Sequence, residues 1–238
     1  MTKGDSLGDR MKGQYENRAR FSLPRRTYTI IRCDGKAFHT FTRHCQKPYD
    51  MNLVLAMDAA MLALVKEAQG VALAYVQSDE ISVLLTDFAT IQTCAWFDGN
   101  VQKIASVAAS VATAAFNANY GGSQGASPAH FDARVFTIPD PVEVENYFIW
   151  RQQDATRNSI SGLAQAHFSA KQLHGVNNSG MQDMLMLQKG INWNDRPAEE
   201  KRGRCAIYDN EAWRVDREIP VFTADRAYLS SRIPRIPA

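Results

Sequence analysis

Four short apolar runs and two helical periodicities follow one another in an order that leaves few folds open. Tyr28-Thr29-Ile30-Ile31-Arg32-Cys33 is β-branched and aromatic and stops at Asp34-Gly35, the pattern of a strand closed by a turn. Leu53, Val54, Met57, Met61, Leu64 and Val65 recur at helical spacing, and Gly70 supplies the stop. Val71 to Val76 and Ile81 to Leu85 are two more apolar runs, parted only by Gln77-Ser78-Asp79-Glu80, which fits a hairpin turn. From Phe97 to Asn119 a second helix is predicted, with Val101, Ile104, Ala108, Val111 and Ala112 on one face, small enough for close approach to a sheet. Gly121, Gly122 and Gly125 read as a flexible link, and Phe131 to Ile138 as a fourth strand ended by Pro139. Strand, helix, strand, strand, helix, strand is the split βαβ order of an α+β, ferredoxin-like sheet.

Residues 1 to 25 are polar and charged and read as an N-terminal arm. Beyond the fourth strand, Asp140-Pro141-Val142-Glu143 resembles a capping box with proline at the first helical position. A first helical stretch over Tyr147 to Asp154 and a second running to Leu173 are predicted there, then a short helix over Met181 to Gln188. A terminal hairpin is expected through Trp213 and Val221. Residues 1–140 are therefore taken as arm and sheet domain, and residues 141–238 as a helical and C-terminal extension packed on it as one structural unit.

The 238 residues, 45% of them hydrophobic, suffice for a core. A net charge of +2 advertises no global nucleic-acid field, so any RNA contact is local. Cys33, Cys45, Cys94 and Cys205 form no CxxC pair, which argues against a zinc framework or a disulfide scaffold. The weakly polar run from Ile104 to Phe116 is too short to span a bilayer, and the N-terminus lacks an apolar signal core. The expectation is a cytoplasmic protein with no membrane partner.

In the split βαβ order the first strand lies between the third and the fourth, so Asp34 and Asp79 are expected to meet at one sheet end. Two aspartates so placed suit a pair of magnesium ions, which take oxygen ligands from one or two carboxylates, substrate phosphates and water. Gly35 lacks a side chain where backbone would approach a metal or phosphate, and the amides from Gly35 to His39 are candidates for an anion site. Lys36, His39 and Lys47 are candidate charge partners, although a surface lysine is often only solvated and a lone histidine often structural. Glu80 is a candidate to tune the site, against the alternative of an exposed glutamate on a turn. Arg134 alternates with Ala133 and Val135 and is expected to face solvent, while Tyr147, Phe148 and Trp150 are expected in the core rather than stacked on bases. Arg151 and Asn158 lie two helical turns apart, on a face suited to RNA or to a subunit contact.

The chain resembles the tRNA-His guanylyltransferase family and its guanylyltransferase-like relatives, enzymes that extend RNA in the 3'-5' direction. The match rests on the blocks Arg32 to His39, Lys47-Pro48-Tyr49-Asp50, Ala74 to Glu80, Phe131 to Val135, Trp150-Arg151-Gln152-Gln153-Asp154 and Gly190 to Asp195 followed by Lys201-Arg202-Gly203. The resemblance implies a polymerase palm, with Asp34, Asp79 and the Gly35 carbonyl as ligands of two Mg2+ ions and Glu80 beside them in the catalytic cluster. It implies a nucleoside triphosphate held by Asp34, Gly35, Lys36, Ala37, Phe38, His39, Ser78 and Asp79, with Lys47 and Asp50 contributing. ATP would activate a 5'-monophosphorylated RNA end, and the 3'-hydroxyl of an incoming nucleotide, usually GTP, would then attack. Homotetramers and tRNA partners belong to the same implication, with Lys103, Arg134, Arg151 and Asn158 as RNA contacts. Where the eukaryotic enzymes carry His-Ile-Asn-Asn, this chain reads Ala155-Thr156-Arg157-Asn158-Ser159, and Asp98-Gly99-Asn100 replaces a basic triplet after Trp96-Phe97. Those departures point to the like-protein branch that repairs tRNA 5'-ends against a template nucleotide. The alternatives are tRNA-His guanylyltransferase proper, another palm-fold nucleotidyltransferase or cyclase, and an RNA-binding module without catalysis.

Overall fold

The computed structural model describes residues 6–121 and 127–236, so Gly122 and Gly125 of the expected link lie outside the described residues. Along the chain run α1 (Leu7–Gln14), β1 (Tyr28–Gly35), α2 (Phe38–Phe41), α3 (Met51–Glu67), β2 (Val71–Gln77) and β3 (Glu80–Leu85). There follow α4 (Val101–Asn119), β4 (Phe131–Ile138), α5 (Pro141–His167), α6 (Ala170–Leu173), α7 (Asn178–Lys189) and α8 (Ala198–Arg202). The hairpin β5 (Arg204–Asp209) and β6 (Ala212–Asp216) and the short α9 (Ala227–Ser230) complete it.

The six strands form one sheet in the order β4-β1-β3-β2-β5-β6, with every neighbouring pair antiparallel. The first four are the expected split βαβ sheet, and the fold is α+β with a palm-like sheet. The C-terminal hairpin is no separate appendage: Ala74, Tyr75 and Val76 of β2 pair with Ala206, Cys205 and Arg204 of β5 and so carry the sheet onward.

Two cores flank the sheet because successive side chains of a strand point to opposite faces. Ile31 and Cys33 join Met57, Met61, Leu64, Ala108 and Phe116 beneath α3 and α4. Tyr28 and Ile30 join Leu84, Val144 and Phe148 beneath the first half of α5, together with Ile219, Phe222 and Leu229 of the C-terminal segment. Arg32 and Asp34 continue the face of Tyr28 and Ile30, so Asp34 emerges on the α5 side. All of β3 is buried, as a central strand covered on both faces must be.

Three boundaries differ from expectation. Helix α4 starts at Val101, not Phe97, because the Asn100 side chain caps the Lys103 amide and Phe97 and Asp98 take φ of +50° and +53°. The first stretch expected after Asp140 and most of the second are one helix of 27 residues ending at His167, its first amides at Val142 and Glu143 bonded by the Asp140 carboxylate, while Ala170–Leu173 form the separate α6 capped by Ser169. The hairpin ends at Asp216 rather than Val221, because Gln152 of α5 captures the chain beyond it: its Nε2 donates to the Pro220 carbonyl and its Oε1 accepts from the Phe222 amide, both at 2.8 Å.

Candidate active site

The pairing of β1 with β3 sets Asp34 opposite Glu80, and the Gly35 amide donates to the Asp79 carbonyl at 3.1 Å. Those contacts bring the two acidic segments together at one end of the sheet. Only Ser78 and Asp79 separate β2 from β3, with Gln77 paired to Glu80. Ser78 holds a φ of +49°, a sign that two-residue hairpin turns use because it follows the twist of the strands. Its hydroxyl donates to Asp79 Oδ1 at 3.0 Å. Burial pushes the Asp79 carboxyl up; the Ser78 hydrogen bond opposes this, and the charge of Asp34 adds to it. Asp34 itself is half-buried, with Arg134 Nη2 3.9 Å from its Oδ2.

Such a pair fits magnesium by the chemistry of its donors: hard oxygens, two carboxylates that repel one another, and Gly35 backbone adjoining both. Among the described residues no three His, Cys, Asp or Glu side chains form a ready cage.

Glu80 is not an exposed residue of the turn. It is buried, and its two oxygens accept from Arg151 Nε at 2.7 Å and Nη2 at 3.0 Å. Burial pushes the Glu80 carboxyl up and Arg151 opposes the shift. Arg151, expected as an RNA contact, is drawn inward by the same pairing: its side chain is 6% exposed, and Nη2 also donates to Asp154 at 2.9 Å. Tyr147 and Phe148 are buried as expected, but Trp150 is 47% exposed, contrary to the core assignment.

The Gly35-to-His39 segment also differs from a simple anion cradle. A Cβ on Gly35 would lie 2.3 Å from the Phe38 ring, so the missing side chain makes room for Phe38. Phe38 is buried among Phe41, Phe116 and Phe131, which leaves only its backbone for a ligand. The Gly35 and Lys36 amides are taken by the Asp79 and His130 carbonyls. The amides of Ala37, Phe38 and His39 open α2, where the first N–H groups have no acceptor within the helix. Lys36 and His39 are exposed, and Lys47 is exposed with its Nζ 3.2 Å from the Thr42 carbonyl. Asp50 caps α3: its carboxylate accepts from the amides of Gln46, Asn52 and Leu53, a different occupation from the ligand contact expected of it.

A cavity of about 220 Å³ opens beside the turn, bounded by Tyr49, Asp50, Ser78, Asn158, Ser159 and Gly162. Its volume lies below the ~300–1,000 Å³ of a site enclosing a whole small ligand. It suits one part of a nucleotide, such as the base. Ser159 and Gly162 were missed in the sequence, although Ala155, Asn158, Ser159 and Gly162 follow the spacing of one helix face and are small or polar where a core face would be large and apolar. Of the other RNA candidates, Lys103 is exposed at the start of α4 and Arg134 is exposed on the edge strand β4.

The palm-like sheet, with two mutually repelling aspartates at a strand end and a cavity beside them, defines the class as a palm-type nucleotidyltransferase. The chain belongs to the tRNAHis guanylyltransferase family, whose model matches residues 8–139. A bacterial tRNA(His) guanylyltransferase-like protein solved with ATP superposes with a TM-score of 0.91 at 48% identity, covering 97% of this chain and 100% of that one. A second such structure, solved with GTP, gives 0.84 at 44% identity over the same shares. The tRNA(His) guanylyltransferase of Debaryomyces hansenii is 30% identical over 82% of this chain and 77% of its own. The probable enzyme of Drosophila melanogaster is 29% identical over 76% of this chain, an alignment spanning 66% of its length. Identity to these two like-protein structures is higher than to the two curated eukaryotic enzymes. Among the described residues no helix is long and apolar enough to cross a membrane.

Proposed function

We propose that the protein adds nucleotides, typically from GTP, to the 5'-end of tRNA in the 3'-5' direction, as magnesium-dependent, template-directed repair of truncated ends. The observation that supports this reading is the Gly35–Asp79 backbone hydrogen bond, which joins the segments carrying Asp34 and Asp79, with Ser78 of the same turn lining the cavity. Relatives solved with ATP and with GTP support triphosphates as substrates.

In this reading Asp34, Asp79 and the Gly35 carbonyl hold two magnesium ions. Bound there, magnesium neutralises phosphate charge and lowers the pKa of a coordinated hydroxyl. Lys36, Lys47 and the amides of Ala37, Phe38 and His39 bind the triphosphate, while Ser78 and the cavity orient the base. Glu80 acts by position: clamped by Arg151, it fixes the start of β3 and with it the turn that carries Asp79. Lys103, Arg134 and Asn158 contact the RNA. Residues 1–140 supply the catalytic palm and its arm, and residues 141–238 the extension. A cytoplasmic homotetramer, in which one RNA touches several subunits, belongs to the same proposal.

The test is a 5'-truncated, 5'-phosphorylated tRNA incubated with ATP, GTP and magnesium. Wild type is expected to lengthen it, and Asp34→Ala to abolish lengthening. Failure of the wild type to lengthen any such RNA, or undiminished lengthening by the variant, overturns the proposal.

A further inference from the structure

An exposed tryptophan on a rigid helix next to a catalytic centre needs a reason, because its neighbours on α5 are buried. Two contacts hold Trp150 in place. The Arg151 guanidinium carbon lies 4.2 Å from the centroid of its ring, and that guanidinium is itself clamped by Glu80 and Asp154. The Tyr147 ring meets the indole at 6.0 Å and 64°, and the Tyr147 hydroxyl is tied to Ser82 Oγ at 2.8 Å. Tyr147 also packs on Phe136 of β4, at 5.8 Å. The indole is thus pre-positioned on one side by groups anchored to the central strand, while 47% of the residue faces solvent.

Its surroundings carry two exposed arginines. Arg134 lies two residues before Phe136 on the same face of the edge strand, with a side chain 55% exposed and long ion pairs to Asp34 at 3.9 Å and Asp132 at 4.0 Å. Arg157 lies two turns beyond Trp150, with a side chain 52% exposed. Between them Asp154 is paired with Arg151 and Arg157, each at 2.9 Å, while Arg151 is shared with Glu80, so Arg157 keeps its exposed edge beside a locally paired carboxylate. A fixed aromatic plane flanked by two exposed arginines has the chemistry that seats a single-stranded nucleotide: base on ring, phosphates on guanidinium groups.

We infer that Trp150 is a stacking platform for the nucleobase at the RNA end being extended, with Arg134 and Arg157 taking the adjoining phosphates. The inference rests on the RNA-end reading of the site and deepens it, since Glu80, which clamps Arg151, is the cross-strand partner of Asp34. The incoming triphosphate has its own place in the cavity by Ser78, so the occupant here is the base already in the RNA.

The experiment measures binding without magnesium and without turnover. A 3'-labelled RNA hairpin with a 5'-phosphate is titrated by anisotropy, once with an intact 5'-terminal nucleotide and once with that nucleotide abasic. Wild type is expected to prefer the intact RNA by about 5- to 150-fold, the range set by loss of one stacked base. Trp150→Ala is expected to bind both RNAs alike, at the level wild type shows for the abasic one, while Trp150→Phe keeps most of the preference. The inference is overturned if Trp150→Ala retains the preference, weakens both RNAs equally, or instead weakens ATP or GTP binding in the absence of RNA. Because no turnover is read, absence of nucleotidyl transfer leaves this result interpretable. Intact transfer alongside an unchanged preference in Trp150→Ala would remove the platform and leave the proposed function standing.

Discussion

Asp58, buried, and Asp79, half-buried, are carboxylates within the same fold that are treated in opposite ways. Asp58 of α3 accepts from Arg204 Nε at 2.5 Å and from Arg217, which also binds Glu199. Its charge is cancelled where α3, α8 and the C-terminal hairpin meet. Asp79 has a neighbouring hydroxyl and the charge of Asp34, and among the described residues no lysine or arginine makes an ion pair with it. Burial and like charge push its carboxyl up. A buried acid with arginine partners holds structure together, whereas a half-buried acid beside another acid is, in the proposed function, set for a cation that arrives with substrate. Glu80, next in sequence to Asp79, falls on the structural side of that divide because Arg151 claims it.

The widest separation is expected from the two aspartates themselves. Asp79→Asn should lower nucleotidyl transfer by at least about 100-fold through loss of a metal ligand, while unfolding free energy stays level or rises by up to about 1 kcal/mol as like-charge repulsion is relieved. Asp58→Ala should do the reverse, costing about 3–5 kcal/mol in urea unfolding because Arg204 is left buried without its partner. Equal destabilisation by both variants would erase the contrast. Gly35→Ala stands next, at about 1–3 kcal/mol from the clash with Phe38, and should also reduce transfer because the backbone joining Asp34 to Asp79 must shift. Tyr147→Phe is the smallest: loss of the buried hydrogen bond to Ser82 should cost about 1 kcal/mol and leave the magnesium dependence of triphosphate binding unchanged.

What could be read from the chain was what is encoded locally. The β-branched run ending at Asp34, the turn at Ser78-Asp79 and the periodicity of α3 each depend on neighbours in sequence, and together they placed the two aspartates at one sheet end. What could not be read depends on partners far along the chain. Arg151 looks like a solvent-facing arginine until β3 brings Glu80 to it, and the glycine at 35 looks made for a ligand until Phe38 folds back over it. That the C-terminal hairpin continues the sheet could not be read, because nothing local says that β5 will pair with β2. Trp150 was assigned to the core with its aromatic neighbours, yet its position on the helix turns it outward while Tyr147 and Phe148 face the sheet.

The central claim, that Asp34 and Asp79 form an acidic pair, met only by the long contact of Arg134 with Asp34 and kept for divalent cations that come with a triphosphate, is tested most directly by calorimetric titration of ATP with and without magnesium. The comparison is between wild type and the Asp34→Asn, Asp79→Asn double variant, checked for an unchanged unfolding midpoint. Magnesium should tighten ATP binding to wild type by about tenfold or more, and the folded double variant should show no magnesium dependence. A double variant that binds ATP with the full magnesium dependence of wild type would contradict the account.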